Sequence, residues 1–217
     1  MEKIIHQIWV GPYNPPERDK QFADRIKEAH PNFEYQYWDN SILNELPSEL
    51  NEIVHRFAEN QKWVNIADML RYYVVNKYGG LYIDMDYELK NPLDELNLER
   101  YDGFIPMHFN VGETICNSMF GFKKNHPIIN YVCQQVPIIP VHDDWVGPHF
   151  FGRNIKHFLG LQDSDIDVTV DRMLCTMNIK TMHSRGEFKQ RYLHHHYSYT
   201  WHPLNQDKLT INKDFNL

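Results

Sequence analysis

The sequence predicts a layered α/β domain, and three observations carry that expectation. Apolar runs of strand length alternate with helically spaced segments through roughly the first 140 residues. Residues 67–86 change period from helical to two-residue across Gly79-Gly80, so a helix is followed at once by a strand. The composition, 42% hydrophobic and 24% charged over 217 residues, is that of one globular domain able to bury a sizeable core.

In chain order, residues 3–10 form a mostly apolar run that stops at Gly11-Pro12 and reads as a buried first strand. Trp9 closes it, placed either to stack on a nucleobase or to plug the end of the sheet. Residues 17–29 carry Phe22, Ile26 and Ala29 at helical spacing, and residues 33–38 read as a second strand before the turn at Asp39-Asn40. Ser48 is placed to cap a helix bearing Leu50, Ile53, Val54 and Phe57. The next helix starts near Trp63 and offers Ile66, Leu70, Tyr73 and Val74 as one buried stripe. Gly79 and Gly80 supply the positive φ that ends a helix. Beyond them Leu81, Ile83 and Met85 point one way and Tyr82, Asp84 and Asp86 the other, near the strand's C-terminal end. That is the end at which open α/β sheets bind ligands. Strands are expected over 101–109 and 119–122, a helix opening at His126-Pro127, and a further helix over 150–158. The last third otherwise yields no regular elements.

Composition narrows the function. A net charge of −7 argues against a nucleic-acid partner, whose phosphates need a basic surface. The 14% aromatic share suits a cleft that stacks flat ligands, or an aromatic-rich core. Cys116, Cys133 and Cys175 are scattered without C-x-x-C spacing, which suits a reducing compartment and argues against structural zinc held by thiolates. The N-terminal residues lack the apolar run of a signal peptide, and no apolar segment approaches the ~20 residues of a membrane helix. A cytoplasmic location follows as an expectation, with peripheral contact to a membrane-bound acceptor left open.

Three D-x-D pairs occur, Asp84/Asp86, Asp163/Asp165 and Asp165/Asp167. Chance alone places about half of one such pair in a chain this long. The latter two read as a solvated loop, and they fail as a calcium loop because Val168 and Leu174 stand where glycine and glutamate are required. Asp84 and Asp86 are hard oxygen ligands that suit Mg²⁺ or Mn²⁺ bound through phosphate. Asp68 and Arg71 share a helix face and read either as a surface pair or as a grip on sugar hydroxyls and phosphate. His194, His195 and His196 are too local to define a metal site, although one of them can complete the coordination of a cation held by Asp86.

Ile4-Ile-His-Gln-Ile-Trp9, Ala67-Asp68-x-x-Arg71-Tyr72 and Tyr78-Gly-Gly-x-Tyr82-x-Asp84-x-Asp86 together resemble the DXD-containing sugar transferases of glycosyltransferase family 32. That family includes initiating α-1,6-mannosyltransferases of yeast-type glycans and bacterial capsular polysaccharide transferases, and it is similar in its core to the glucosylating toxins. Weaker likenesses extend through Asn117–Pro127, Gly147-Pro148 and His195-His196-x-x-x-Thr200-Trp201, where Thr200 replaces the usual serine. The resemblance implies a GT-A fold, Rossmann-like, with a mixed and mostly parallel sheet flanked by helices. It implies one domain over 1–217, with a nucleotide-sugar core at 1–140 and an acceptor-side and closing segment at 141–217. The implied activity is metal-dependent, retaining transfer of a hexose from a UDP- or GDP-sugar to a hydroxyl of a glycan or glycolipid, as in polysaccharide biosynthesis. Trp9 would stack the base, Asp68 and Arg71 would hold the donor sugar, and Tyr82 would lie against the nucleotide. Asp84 would bind ribose or the water shell of Mn²⁺ or Mg²⁺, Asp86 and His196 would ligate the metal, and Trp201 would close over the diphosphate. Asp68, Arg71 and Asp86 are the candidate catalytic residues.

Two rival readings stand beside it. An aspartyl phosphatase built on Ile83-Asp-Met-Asp86 conflicts with the long αβα stretch that precedes the motif. A non-catalytic nucleotide-sugar or glycan binding module would use the same scaffold without turnover.

Overall fold

The computed structural model describes residues 1–107, 115–139, 146–165, 167–183, 191–198 and 209–213. Strands β1 (Ile4–Ile8), β2 (Glu34–Trp38), β3 (Gly80–Ile83), β5 (Gly103–Met107), β6 (Met119–Phe122) and β7 (Ile179–His183) form one sheet in the order β2-β1-β3-β6-β5-β7. β1 runs parallel to β2 and β3, β5 runs parallel to β7, and β6 is antiparallel to both β3 and β5. A small antiparallel pair, β4 (Tyr87–Leu89) with β8 (Leu193–His195), stands beside it. The sheet is therefore mixed and mostly parallel, as expected. The strand β7 is supplied from beyond residue 140, so the C-terminal third is woven into the central sheet.

Alternation along the strands feeds two cores, one on each face. Ile8, Tyr82, Phe120 and Phe122 pack with the helices α2 (Ser48–Glu59), α3 (Trp63–Tyr78), α4 (Pro127–Gln135), α5 (Pro148–Phe158) and α6 (Asp167–Thr176). Ile5, Leu81, Ile83, Phe104 and Met119 pack on the other face with Ile26 of α1 (Glu17–Ala29) and with Leu93, Leu96 and Leu98. Both faces of β3 are buried, which is why its residues read as a nearly continuous apolar run.

The double glycine has two physical causes. Gly79 and Gly80 have φ of 72° and 98°, conformations that L side chains rarely adopt. A Cβ at Gly80 would also lie 2.6 Å from the Ile4 carbonyl oxygen, so any larger residue would push β3 off β1. The Gly79 carbonyl is held by buried His6 at 2.7 Å. That carbonyl only accepts, so His6 Nε2 donates, and Nδ1 accepts from Trp38 Nε1–H at 3.1 Å. Burial holds the His6 pKa down to about 4, so the ring stays neutral in this role.

Several local expectations change. β3 ends at Ile83, and Asp84 to Asp86 form a turn, with the Tyr87 N–H bonded to the Asp84 carbonyl. The two carboxylates therefore project from a turn just past the C-terminal end of β3, an interior strand, instead of alternating along a strand. α3 is buried around most of its circumference, including Asp68, Met69, Arg71, Tyr72 and Val75, while Tyr73 of the expected stripe is only half-buried. A central helix covered by both sheet and helices has no single apolar stripe. Ser48 makes no side-chain cap, because Pro47 occupies the cap position of α2. Of the Asp163–Asp167 stretch, Asp167 opens α6, and the carbonyls of Asp163 and Asp165 accept from Lys156 Nζ.

Candidate active site

The C-terminal ends of β1 and β3 open into a cleft of about 440 Å³. Its walls include Trp9, Asp68, Arg71, Tyr82, Asp84, Asp86, Asn117 and His195. Seven of the eight expected site residues fall on described positions. Six of those line the cleft, and His196 does not; Trp201 lies outside the described residues.

One wall is a buried polar network on regular structure. Asp68 and Arg71 sit one turn apart on α3, and the Arg71 guanidinium reaches Asp68 at 3.2 Å and Asp84 at 3.3 Å. Arg71 also donates to the Asn117 carbonyl at 2.9 Å. The Asn117 amide in turn donates to Asp68 at 2.7 Å and to the Tyr72 hydroxyl at 2.8 Å. The sequence reading assigned no role to Asn117; its only signal was the family-like Asn…Gly…His-Pro stretch. The Tyr82 hydroxyl donates to Asp84, and Arg71 lies over the Tyr82 ring at 4.7 Å. With 1% of its surface exposed, Tyr82 orients Asp84 and Arg71 more than it offers area to a ligand.

These groups titrate abnormally because they are removed from water. Burial raises the Asp84 carboxyl to about 6; Arg71 opposes the shift and the charge of Asp86 adds to it. Burial likewise raises Asp68 against the pull of Arg71 and Asn117. Burial works against the Arg71 charge, but Asp84, Tyr82 and Asp68 more than offset it and keep the guanidinium ionised.

The other wall is made by His195, Tyr197 and Ser198 together with Asp19 in the first turn of α1. His195 Nε2 lies 3.1 Å from Asp86, and the Ser198 N–H donates to the second Asp86 oxygen at 2.8 Å. Burial pushes the Asp86 carboxyl up, but the bonds from His195 and Ser198 outweigh it and hold its pKa below the ordinary value. The His195 ring is sandwiched between Tyr87, 4.4 Å between centroids, and Tyr197 at 4.1 Å.

Asp84, Asp86 and His195 each present one ligand-type atom, all within 4.8 Å of one another. Two carboxylate oxygens with an imidazole nitrogen fit Mn²⁺ or Mg²⁺ with positions left for phosphate and water. The expected third ligand was His196. Its ring instead pairs with Glu88 at 2.9 Å and stacks on Phe22 at 4.9 Å, and only its backbone N–H reaches the Asp86 carbonyl. Pairing of β8 with β4 sets this parity: His195 lies opposite Tyr87, and its neighbours point to the other face.

Trp9 is half-buried at the cleft wall, its indole N–H donating to the Tyr13 carbonyl at 2.6 Å. The ring is thus fixed in orientation and available to a flat ligand. Cys116 also lines the cleft; burial raises its thiol pKa, so it offers no thiolate nucleophile at neutral pH.

Comparison with known proteins agrees with this geometry. A family model described as a glycosyltransferase sugar-binding region containing a DXD motif matches residues 16–102, which include Asp68, Arg71, Asp84 and Asp86. Inositol phosphoceramide mannosyltransferase 3 of Schizosaccharomyces pombe is 29% identical over 136 residues, 62% of this chain and 37% of that protein. Mannosyl phosphorylinositol ceramide synthase SUR1 of Saccharomyces cerevisiae is 29% identical over 126 residues, 58% of this chain and 32% of that protein. The chain thus spans well under half the length of these relatives. Among solved structures, the PaToxG glycosyltransferase superposes with a TM-score of 0.54 at 16% identity, covering 80% of this chain and 83% of that one, a likeness of fold.

Proposed function

We propose, from the match of residues 16–102 to the DXD-containing sugar transferases, the likeness to glycosyltransferase family 32 and the GT-A fold, that the chain transfers a hexose from a nucleoside diphosphate sugar to a hydroxyl acceptor. The observation that supports this most is the meeting, in one cleft, of the Asp68–Arg71–Asn117 network with the Asp84, Asp86 and His195 cluster. The names of the relatives favour mannose as the sugar and an inositol-bearing lipid or glycan as the acceptor.

In this reading Trp9 stacks the base, while Asp68 accepts donor-sugar hydroxyls and Arg71 donates to sugar or phosphate oxygens. Arg71 is suited to this because its fork is already fixed by Asp68, Asp84 and Asn117, so little ordering is needed on binding. Asp84, Asp86 and His195 would hold Mn²⁺ or Mg²⁺, which supplies charge stabilisation of the departing diphosphate. The C1–O bond to diphosphate breaks as the acceptor oxygen bonds to C1 from the same face, and the acceptor proton passes to a diphosphate oxygen. This course gives retention and needs no protein nucleophile, consistent with the protonated Cys116. Three unpaired cysteines suit a reducing compartment, and the cytoplasm is proposed on that ground. No helix among the described residues is long and apolar enough to cross a membrane.

A screen of UDP- and GDP-hexoses with Mn²⁺ and Mg²⁺ tests the proposal. It predicts metal-dependent release of nucleoside diphosphate from one base and one sugar in preference to the others, faster when the acceptor is present. Binding of a nucleotide sugar with neither hydrolysis nor transfer across an acceptor panel would replace it with the binding-module reading.

A further inference from the structure

Asp19 has no place in the chemistry proposed above, yet it is among the most buried charged groups of the molecule. It sits in the first turn of α1, 1% exposed, and lines the same cleft. Its Oδ1 accepts from Arg18 Nε at 3.0 Å and Nη2 at 2.9 Å. The Ser198 hydroxyl, which also receives Arg18 Nη2, lies 3.4 Å and 3.3 Å from the two Asp19 oxygens. Ser198 therefore faces two carboxylates, its N–H donating to Asp86 and its hydroxyl to Asp19. A second contact joins the same two elements, the stacking of His196 on Phe22 one turn further along α1.

We infer that Asp19 is a positioning residue that latches residues 195–198 onto α1 and so fixes His195 and Ser198 around Asp86. The inference rests on Asp86 as a metal ligand. His195 ends a strand of only three residues and 196–198 follow it, so the β4–β8 ladder alone holds them weakly. α1 is anchored by Phe22, Ala23 and Ile26 and provides the firm side of the latch. A buried carboxylate near a helix N-terminus is also favoured by the helix dipole, which offsets part of its desolvation. Partners that orient metal ligands typically alter metal affinity by about 10–100-fold when removed.

The test is Mn²⁺ titration in the presence of GDP or UDP, followed by electron paramagnetic resonance, on wild type, Asp86→Ala, Asp19→Ala, Ser198→Ala and the Asp19→Ala/Ser198→Ala double variant. Asp86→Ala is expected to abolish Mn²⁺ binding; if it binds as wild type does, the metal reading falls and the inference with it. Asp19→Ala is expected to weaken Mn²⁺ about tenfold, with kcat at saturating Mn²⁺ changed much less than the Mn²⁺ requirement. Ser198→Ala, which keeps its backbone N–H, carries the same prediction at smaller amplitude should Asp19→Ala fold poorly. The double variant is expected to match Asp19→Ala, because the pair acts as one contact. Hydrogen exchange at the Ser198 amide in metal-free protein is expected to be about tenfold faster in Asp19→Ala. Wild-type Mn²⁺ affinity and unchanged exchange in both single variants, while Asp86→Ala loses the metal, would overturn the latch and leave the metal reading intact.

Discussion

The two walls of the cleft hold the same kind of chemistry by different means. On the α3–β3 side, Asp68, Arg71 and Asp84 are fixed by a helix, a strand end and the Asn117 amide, all packed into the larger core. On the α1 side, Asp86 receives its bonds from His195 and Ser198, which lie on a three-residue strand and the chain that follows it. The consequence is visible in the two carboxylates of the D-x-D pair. Asp84 is pushed up to about 6 by burial, while Asp86 is held below its ordinary pKa by its new partners. Adjacent groups in different settings thus keep their charge over different pH ranges: in the proposed reading Asp86 is the ligand that stays charged to lower pH and Asp84 the one that a proton silences first.

The largest expected effect tests whether the weaker wall carries the chemistry. Asp86→Ala should lower kcat/KM by about 10³-fold or more, since the lost charge stabilisation of the leaving diphosphate amounts to several kcal/mol. Breaking the rigid wall comes next. Arg71→Lys keeps the charge but loses the fork that spans Asp68, Asp84 and the Asn117 carbonyl, and should lower kcat/KM by about 10²-fold in steady-state assays. A paired comparison sharpens the parity of the histidines. His195→Ala should weaken Mn²⁺ binding by about 10-fold or more, whereas His196→Ala, which removes only the partly buried pair with Glu88 and the stack on Phe22 and no atom facing the metal, should weaken it several-fold less. Equal losses in both variants would break the assignment.

The smallest expected effect is on stability against pH. The Asp84 carboxyl titrates higher in the folded protein, near 6, than in the unfolded chain, near its ordinary 3.8. Between those values the folded state binds more protons, so its contribution is fully present below about 4 and is lost as pH rises through about 6. Metal-free protein should therefore lose on the order of 1–3 kcal/mol over that window from this group, and Asp84→Asn should flatten that part of the curve in urea titrations. Bound metal favours the carboxylate, so metal affinity should fall as the pH drops below about 6.

The rigid wall was legible in the sequence and the other wall was not, for physical reasons. Asp68, Arg71, Gly79, Gly80 and Tyr82 lie in a stretch where helix period, chain reversal and strand period follow each other without interruption. Their relative positions are set locally. His195 was missed because three successive histidines carry no alternation, and only the pairing of β8 with β4 decides which ring faces Asp86. No sequence signal marks Asp19, because its contact with Ser198 joins residues 179 apart in the chain. The elements α6, β7 and β8 were invisible because they are short and weakly periodic, and β7 is a strand only by virtue of β5. Even within the legible stretch, the turn at Asp84 to Asp86 escaped an alternation argument that extends the strand three residues too far, past Ile83.

Anomalous diffraction from a crystal grown with Mn²⁺ and nucleoside diphosphate tests the central claim most directly. The account predicts one Mn²⁺ peak in the cleft, within about 2.3 Å of an Asp86 oxygen and the His195 nitrogen, with diphosphate oxygens completing its shell. A peak bound by His196 and Glu88, or none in the cleft while nucleotide is present, would contradict it.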